Sequence, residues 1–222
     1  MSADKLAPQL PKPEVLLFDW DGTLVDSHPV LAKAMNITLA AFDKEPWTFK
    51  QWQDWLGASA RDAFPQVFGD DWEEARKKYY GAYADAHMDA LALIPYADTL
   101  IAALKPAPLK LGVVTNKSGP FLLKEIDKLG WGDHFSALVG AGDAARDKPA
   151  PDPALKAIDH LRHGGGGTVW FIGDNAVDVA CGRAAGCTTI LVGDSPSEPE
   201  PDHRVTSLDS LQTLIFSALN PI

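Results

Sequence analysis

Two aspartates follow directly after a short apolar run near the start of the chain. Residues 15–26 read VLLFDWDGTLVD, so Asp19 and Asp21 lie two positions apart where a buried strand is expected to end. If extended geometry continues past the strand, side chains at i and i+2 project the same way. Two carboxylates in one pocket repel each other, and either a cation lies between them or one of them holds a proton. Both arrangements are chemically useful.

Further polar residues follow later apolar runs of the sequence. Thr115 and Asn116 end the run LKLGVVTN, Lys148 lies in DKPAPDP, and Asp174 ends TVWFIGD with Asp178 four positions on. Parallel strands bring their carboxyl ends to one edge of a sheet, where ligands bind in open α/β folds. These residues are therefore expected to converge with the first two aspartates.

The residue types of this set favour a metal site beside an anion site. Aspartates without histidine or cysteine suit a hard, oxygen-seeking cation, and Mg²⁺ is the cofactor that we expect. A threonine hydroxyl, an asparagine amide, a lysine and the backbone N–H groups of turns suit phosphoryl oxygens, and Gly22 allows a ligand to approach the backbone closely. Each feature alone has an ordinary explanation as a turn, a solvated lysine or a helix-start charge. Their combination predicts phosphoryl-transfer chemistry.

The surrounding pattern predicts the elements that position these residues. From residue 95 onward, strand-like runs alternate with helical periodicity, which is typical of an α/β fold with a Rossmann-like parallel sheet in three α/β/α layers. Residues 27–93 have helical periodicity and no convincing strand. We therefore expect an N-terminal arm over 1–13, a core domain over 14–26 and 94–222, and an inserted all-α cap domain over 27–93.

The composition is that of an ordinary globular protein. The 222 residues are 46% hydrophobic and 23% charged, with a formal net charge of −10. This negative charge argues against nucleic acid as a partner, and the longest apolar runs are too short for a membrane span. Two cysteines, Cys181 and Cys187, are expected to be reduced, buried thiols. The first residues have no apolar segment of the secretory type, so we expect a cytoplasmic protein.

Four of these segments resemble the motifs of the haloacid dehalogenase superfamily of aspartate-nucleophile phosphatases. DWDGT, VVTN, DKPAPDP and GDNAVD match its four motifs in order and spacing. The resemblance covers residues from about 14 to 218, and the motifs look closest to the phosphoglycolate phosphatase-like branch with a helical cap. Trp20 stands where a smaller apolar residue is usual, and Asp147 stands where a small or basic one is usual.

The resemblance implies a role for each residue, although the residues alone leave open which aspartate attacks. Asp19 would be the nucleophile, and Asp21 would be the general acid and then the general base. Mg²⁺ would be held by the Asp19 carboxylate, the Asp21 backbone carbonyl and Asp174, with Asp178 supporting from outside. The phosphoryl group would be bound by Thr115, Asn116, Lys148 and Gly22.

The cap is expected to decide the substrate, because the core provides only phosphate chemistry. Arg61 is the cap residue predicted to contact a second anionic group of the substrate. The predicted partner is a small phosphorylated metabolite, with phosphoglycolate as the leading candidate. The sequence does not indicate an oligomeric state.

Several other functions on the same scaffold remain open. A β-phosphoglucomutase-like isomerase would need a cap that excludes water and binds a second phosphate. A phosphonate hydrolase ranks lower because no cap lysine stands out as a Schiff-base former, and the presence of Asp21 disfavours a dehalogenase. A non-catalytic regulatory or binding protein is disfavoured because Asp19, Asp21, Lys148 and Asp174 are all present.

Overall fold

A six-stranded parallel sheet forms the centre of the molecule. The computed structural model describes residues 10–220, apart from the side chains of Phe49, Gln53 and Asp54. Most of the predicted N-terminal arm, residues 1–9, lies outside the described residues. The strands are β1 Val15–Phe18, β2 Lys110–Ser118, β3 Ala137–Ala141, β4 Val169–Gly173, β5 Thr188–Val192 and β6 His203–Val205. Their order across the sheet is β3-β2-β1-β4-β5-β6.

Nine α-helices of the described chain precede, connect or follow these strands. They are α1 His28–Ala41, α2 Phe49–Trp55, α3 Ala60–Phe68, α4 Trp72–Ala84, α5 Ala97–Leu104, α6 Gly119–Leu129, α7 Asp152–His160, α8 Ala176–Ala184 and α9 Leu208–Leu219. Helices α5, α6 and α9 contribute to the apolar cluster on one face of the sheet. Helices α7 and α8 contribute to the cluster on the other face. This layering confirms the predicted α/β class with a Rossmann-like parallel sheet.

The central strand β1 explains why the polar residues appear only at its end. It pairs with β2 on one side and β4 on the other. Val15 and Leu17 belong to one apolar cluster and Leu16 and Phe18 to the other, and all four are fully buried. Each such side chain contributes about 1.5–3 kcal/mol through burial. A polar residue inside this strand would lose that contribution, so the chemistry is confined to the residues after Phe18.

The start of α8 is packed closely against the end of β4. Asn175 caps the helix, its side chain accepting from the backbone N–H of Val177, and Asp178 completes a capping box. A side chain at Gly173 would have its Cβ 2.3 Å from Asp178, so only glycine allows this approach. The junction therefore fixes the position of Asp178 directly beneath the end of β4.

Helices α1 to α4 lie between β1 and α5 and have an apolar cluster of their own. Its buried members are Val30, Ala34, Met35, Leu39, Ala63, Phe64, Phe68, Ala75, Tyr79 and Tyr83. Val25 forms isolated bridges with both Asp21 and Leu93, so the chain leaves β1 and returns at neighbouring points. This arrangement agrees with an inserted cap, and the exact domain bounds stay a prediction.

The sequence interpretation missed one strand, β6. Two of its three residues, His203 and Arg204, are polar, and it pairs with β5 alone at the edge of the sheet. Both cysteines are buried and unpaired, in agreement with the expected thiols. No helix within residues 10–220 combines the length and the apolar character needed to cross a membrane.

Candidate active site

Except for Gly22, the predicted catalytic and phosphate-binding residues line one cavity at the carboxyl edge of the sheet. The cavity has a volume of about 110 Å³, and its polar floor includes Asp19, Asp21, Thr115, Asn116 and Lys148. Because β1, β2 and the segment before α7 all end at this edge, residues more than 100 positions apart in sequence meet here.

Lys148 joins two of the aspartates. Its Nζ lies 2.6 Å from Asp19 Oδ1 and 2.7 Å from Asp178 Oδ1. Burial raises the pKa of Asp19 to about 7, and the charge of Asp178 adds to this effect while Lys148 opposes it. Burial works against the lysine charge, but Asp178 and Asp19 more than offset it, so the Lys148 pKa is raised. The ammonium therefore stays charged beside carboxylates that retain their protons unusually well.

Three carboxylates form a group that fits a hard divalent cation. Oxygens of Asp19, Asp174 and Asp178 all lie within 4.8 Å of one another. Burial, followed by the charge of Asp19, raises the pKa of Asp174 to about 7, although Thr23 Oγ1 donates to its Oδ1 over 3.0 Å. Burial raises the pKa of Asp178 as well. A bound cation would offset this repulsion, and oxygen ligands suit Mg²⁺.

The Asp21 carboxylate lies outside this group and has different partners. Its Oδ1 is 2.7 Å from Lys117 Nζ and also accepts a hydrogen bond from the Ser27 hydroxyl. Lys117 lines the cavity and is almost completely buried, yet the sequence interpretation gave it no role. Its position directly after Asn116, a predicted site residue, was the feature of the sequence that could have indicated a role.

Asn116 connects the phosphate-binding segment to the cap. Its Nδ2 donates to the Gly57 carbonyl over 2.6 Å and to the Lys148 carbonyl over 2.9 Å, and its Oδ1 accepts from the Lys148 backbone N–H over 3.0 Å. Thr115 Oγ1 accepts from the Lys117 backbone N–H over 3.1 Å. The pairing of β2 with β3 shifts between Val114 and Ser118, so the strand is irregular where these residues lie.

Gly22 lies against Asp174, one of the three carboxylates that fit a cation. Its φ is +88°, and a Cβ there would lie 2.6 Å from Asp174 Oδ2. Both the backbone conformation and the close approach therefore require glycine. Its predicted contact with phosphate stays a prediction.

Arg61 points to the core and pairs with Asp147. Its guanidinium lies 3.0 Å from Asp147 Oδ1, which also accepts from the Gly142 backbone N–H over 2.8 Å. Asp147 is buried, and its Oδ2 has no hydrogen-bond partner among residues 10–220. Arg61 is not among the residues that line the cavity. The unusual residue before Lys148 thus serves as a cap–core contact, and the predicted contact of Arg61 with substrate stays a prediction.

The cap closes the cavity from above with apolar and aromatic side chains. Leu31, Met35, Trp55, Phe64 and Tyr79 contribute to this wall. The cavity therefore combines a polar floor from the core with an apolar wall from the cap.

Comparisons with known proteins give the same picture as the geometry. The family model described as haloacid dehalogenase-like hydrolase matches residues 16–192. A phosphoglycolate phosphatase from Psychrobacter arcticus is 30% identical over 189 residues, covering 80% of this chain and 82% of that protein. A phosphoglycolate phosphatase from Escherichia coli strain K12 is 29% identical, covering 87% of this chain and 89% of that protein. A solved haloacid dehalogenase-like hydrolase from Bacteroides fragilis has a TM-score of 0.82 at 26% identity, covering 90% and 100%.

A parallel sheet with acidic residues and a lysine at its carboxyl edge defines an α/β enzyme built for phosphoryl transfer. Within that class, the chain belongs to the haloacid dehalogenase-like hydrolases, because the family model covers more than half of it. The resemblance stated from the four motifs is confirmed. The prediction that the chain is an enzyme, a hydrolase of the phosphatase type, is confirmed by this family and by its relatives.

Proposed function

We propose that the protein is a Mg²⁺-dependent phosphatase that hydrolyses a small phosphorylated metabolite through an aspartyl-phosphate on Asp19. The observation that carries this proposal is the geometry of Asp19 itself. It lies at the floor of the cavity, 2.6 Å from Lys148 and within 4.8 Å of the Asp174 and Asp178 oxygens. A carboxylate beside a lysine and a cation site can face a phosphoryl group that both cations neutralise.

The proposed metal ligands are the Asp19 carboxylate, the Asp21 backbone carbonyl and Asp174. Asp178 would support them from outside, because its two oxygens already accept from Lys148 and from the backbone N–H groups of Asp174 and Asn175. When bound, Mg²⁺ would neutralise charge on the phosphoryl oxygens and help to orient them for in-line attack.

The first half of the reaction would transfer the phosphoryl group to the protein. An Asp19 oxygen attacks phosphorus, and the bond between phosphorus and the ester oxygen breaks. The Asp21 carboxyl gives its proton to that oxygen, so an alcohol leaves. Lys148, Thr115 and the backbone at Asn116 and Gly22 would hold the remaining phosphoryl oxygens. The Asn116 side chain is left out because its two N–H donors already bind the Gly57 and Lys148 carbonyls.

The second half would release inorganic phosphate. The ionised Asp21 takes a proton from water as the water oxygen attacks phosphorus, and the bond from phosphorus to Asp19 breaks. Asp21 ends the cycle protonated and Asp19 ionised. Lys117 and Ser27, which contact the Asp21 carboxylate, would keep it oriented in both halves.

Phosphoglycolate is the substrate that we propose to test first. Two relatives at 30% and 29% identity are phosphoglycolate phosphatases, and they cover most of this chain. A small cavity of about 110 Å³ also suits a small ester. We place the protein in the cytoplasm, as the sequence predicts.

Hydrolysis of p-nitrophenyl phosphate with and without Mg²⁺ tests the proposal, with Asp19→Asn as the critical variant. We expect metal-dependent turnover that falls by at least about 10³-fold in Asp19→Asn, because the nucleophile is lost. Asp159→Asn is the matched control, because Asp159 is an exposed acid on α7 and its removal changes the net charge equally. Full activity of Asp19→Asn would contradict the nucleophile assignment.

Formation of glucose 6-phosphate from β-glucose 1-phosphate would support the isomerase instead.

A further inference from the structure

A fully buried glutamate lies behind the cavity on α6. Glu125 shares its helix face with Leu122 and Ile126, and its side chain has no exposed area. Burying a carboxylate is costly unless hydrogen-bond donors and opposite charge compensate it. The structure provides such compensation from several different segments of the chain, which indicates a specific role for this side chain.

The donors to Glu125 come from the catalytic loop and from the cap. Its Oε2 accepts from Trp20 Nε1 over 2.7 Å, and Trp20 lies between the two catalytic aspartates. Its Oε1 accepts from the Tyr83 hydroxyl over 2.8 Å and lies 2.8 Å from His87 Nδ1. Tyr83 belongs to α4 and His87 follows it, so one carboxylate connects the cap to the loop after β1.

Lys117 extends this connection to Asp21. Its Nζ lies 3.3 Å from Glu125 Oε1 and 2.7 Å from Asp21 Oδ1, and it donates to the Tyr83 hydroxyl. The ammonium also lies 4.6 Å from the centre of the Tyr83 ring. The contact with the Tyr83 hydroxyl is a hydrogen bond, and the contacts with Asp21 and Glu125 are ion pairs. Lys117 therefore lies between the two carboxylates and links them.

We propose that Glu125 is a positioning residue for the proposed general acid Asp21, acting through Lys117. Glu125 and Tyr83 hold the ammonium from one side, and the ammonium fixes the Asp21 carboxylate on the other. Trp20 and His87 hold Glu125 in turn. The inference rests on the proposed function, because it assigns Glu125 a part in the proton transfer by Asp21. Since Tyr83 and His87 belong to the cap segment, the acid is correctly placed only when this segment is packed against α6.

Two esters with similar shapes and different leaving groups test the proposal. Phenyl phosphate needs its leaving oxygen protonated, whereas p-nitrophenyl phosphate needs this much less. In Glu125→Gln we expect kcat/KM to fall by about 30-fold for phenyl phosphate and by about 3-fold for p-nitrophenyl phosphate. Both losses are below the roughly 10²–10⁴-fold that a general acid contributes, because Asp21 itself remains. A purely structural fault would reduce both values equally, and an equal reduction would overturn the inference.

A double-mutant cycle tests whether the effect passes through Lys117. Adding Glu125→Gln to Lys117→Met should not lower kcat/KM further for either ester, because Lys117, which connects Glu125 to Asp21, is already lost. Independent, multiplicative losses would overturn the proposed path. Glu74→Gln is the matched control, since Glu74 is an exposed glutamate on α4 and the same chemical change there leaves the connection to Asp21 untouched. It should keep the parental ratio between the two esters, and a changed ratio would also count against the path.

Tyr83→Phe provides the second variant if Glu125→Gln fails to fold. It removes the hydroxyl that links Glu125 and Lys117 but keeps the aromatic ring, and we expect a selective loss of about 5-fold for phenyl phosphate alone. An equal loss for both esters would overturn the inference. If the parent protein shows Asp19- and Mg²⁺-dependent turnover and these variants lose both esters equally, only the role of Glu125 falls. If the parent lacks that turnover, the proposed function falls first.

Discussion

At the scale of single residues, Asp19 and Asp21 are distinguished by their surroundings. Asp19 pairs with Lys148 inside a group of three carboxylates, whereas the Asp21 carboxylate pairs with Lys117 and Ser27 outside it. Each aspartate thus has its own cation partner, and the two do not compete for one lysine. This separation suits the proposed division of roles, in which Asp19 attacks phosphorus and Asp21 transfers protons.

Asp174→Asn should stabilise the metal-free protein at pH 8. The folded-state pKa of Asp174 is raised from 3.8 to about 7, so the folded protein holds this proton more tightly than the unfolded chain does. The metal-free protein therefore loses stability as the pH rises from about 4 toward 7. Removing the charge should raise the free energy of unfolding at pH 8 by about 1–3 kcal/mol, with a smaller gain at pH 5. Thermal unfolding in EDTA measures both values.

The same measurement with Mg²⁺ provides the complementary result. Mg²⁺ should raise the melting temperature of the parent protein and of the control Asp159→Asn, but not that of Asp174→Asn, because ligand binding stabilises only a protein that retains its site. A variant that is less stable than the parent in EDTA at pH 8 would contradict the assigned repulsion.

The sequence predicted the residues of the floor but not those behind it. Asp19, Thr115 and Asp174 follow strand-like runs, and the rule for parallel sheets brings such ends together. Lys148 was predicted from a later loop to join them. The link from Trp20 to Glu125 spans 105 positions, and nothing local to either residue indicates it. Glu125 lies on the apolar face of α6. An acidic residue on an apolar helix face was the only feature of the sequence that could have indicated its role.

At the scale of elements, the junction between β4 and α8 positions two of the three carboxylates of the proposed metal site, Asp174 and Asp178. Asp174 and Asn175 connect the two elements directly, and Asp178 in the first turn of α8 accepts from both of their backbone N–H groups. The capping box thus uses a carboxylate that also contacts Lys148. Helix start and metal site share one side chain, so a local change in backbone packing affects both.

Gly173→Ala should damage this junction. The added Cβ would lie 2.3 Å from Asp178, and relief of that clash requires backbone movement. We expect a loss of about 1–3 kcal/mol in the free energy of unfolding, measured in urea, together with weaker binding of Mg²⁺.

Gly81→Ala is the control for the glycine change itself. Gly81 lies within α4, and no atom lies within 4 Å of its added Cβ. This variant should gain about 0.5–1 kcal/mol from reduced backbone entropy in the unfolded chain. Equal effects from the two variants would show that the contact with Asp178 is unimportant.

The sequence predicted the fully buried central strands well and the strand at the edge of the sheet poorly. The apolar runs of β1 and β4 are buried on both faces, and this environment selects residues that a pattern reveals. Strand β6 has three residues and pairs with β5 alone, so its position depends on tertiary contacts more than on its own sequence.

At the scale of the whole molecule, the cap is attached to the core at several points around the cavity. Asn116 reaches the Gly57 carbonyl, Arg61 reaches Asp147, and Tyr83 and His87 reach Glu125. These contacts come from three different core segments. Together they join the cap to the core around the cavity.

Arg61→Gln should destabilise the protein by leaving Asp147 buried without its cation. We expect a loss of about 1–2 kcal/mol, a modest value because the Arg61 side chain is 37% exposed. Asp147→Asn in the same chain should recover part of this loss, which urea unfolding of the single and double variants measures.

Arg146→Gln is the control, because Arg146 pairs with Asp152 at the surface and this change should have no measurable effect on stability. Additive losses in the Arg61 and Asp147 variants would contradict the pairing. A rise in KM for phosphoglycolate alone would support the predicted contact of Arg61 with substrate.

The two kinds of cap contact place different limits on recombination between relatives. Asn116 binds a backbone carbonyl, so a foreign cap satisfies it if that cap has glycine at position 57. The φ there is +85°, and an added Cβ would lie 2.9 Å from Asn175 Oδ1. Glu125 requires the side chains of Tyr83 and His87. A foreign cap without them would leave a buried carboxylate short of donors. A chimera that receives the cap of a relative should therefore also receive helix α6 of that relative.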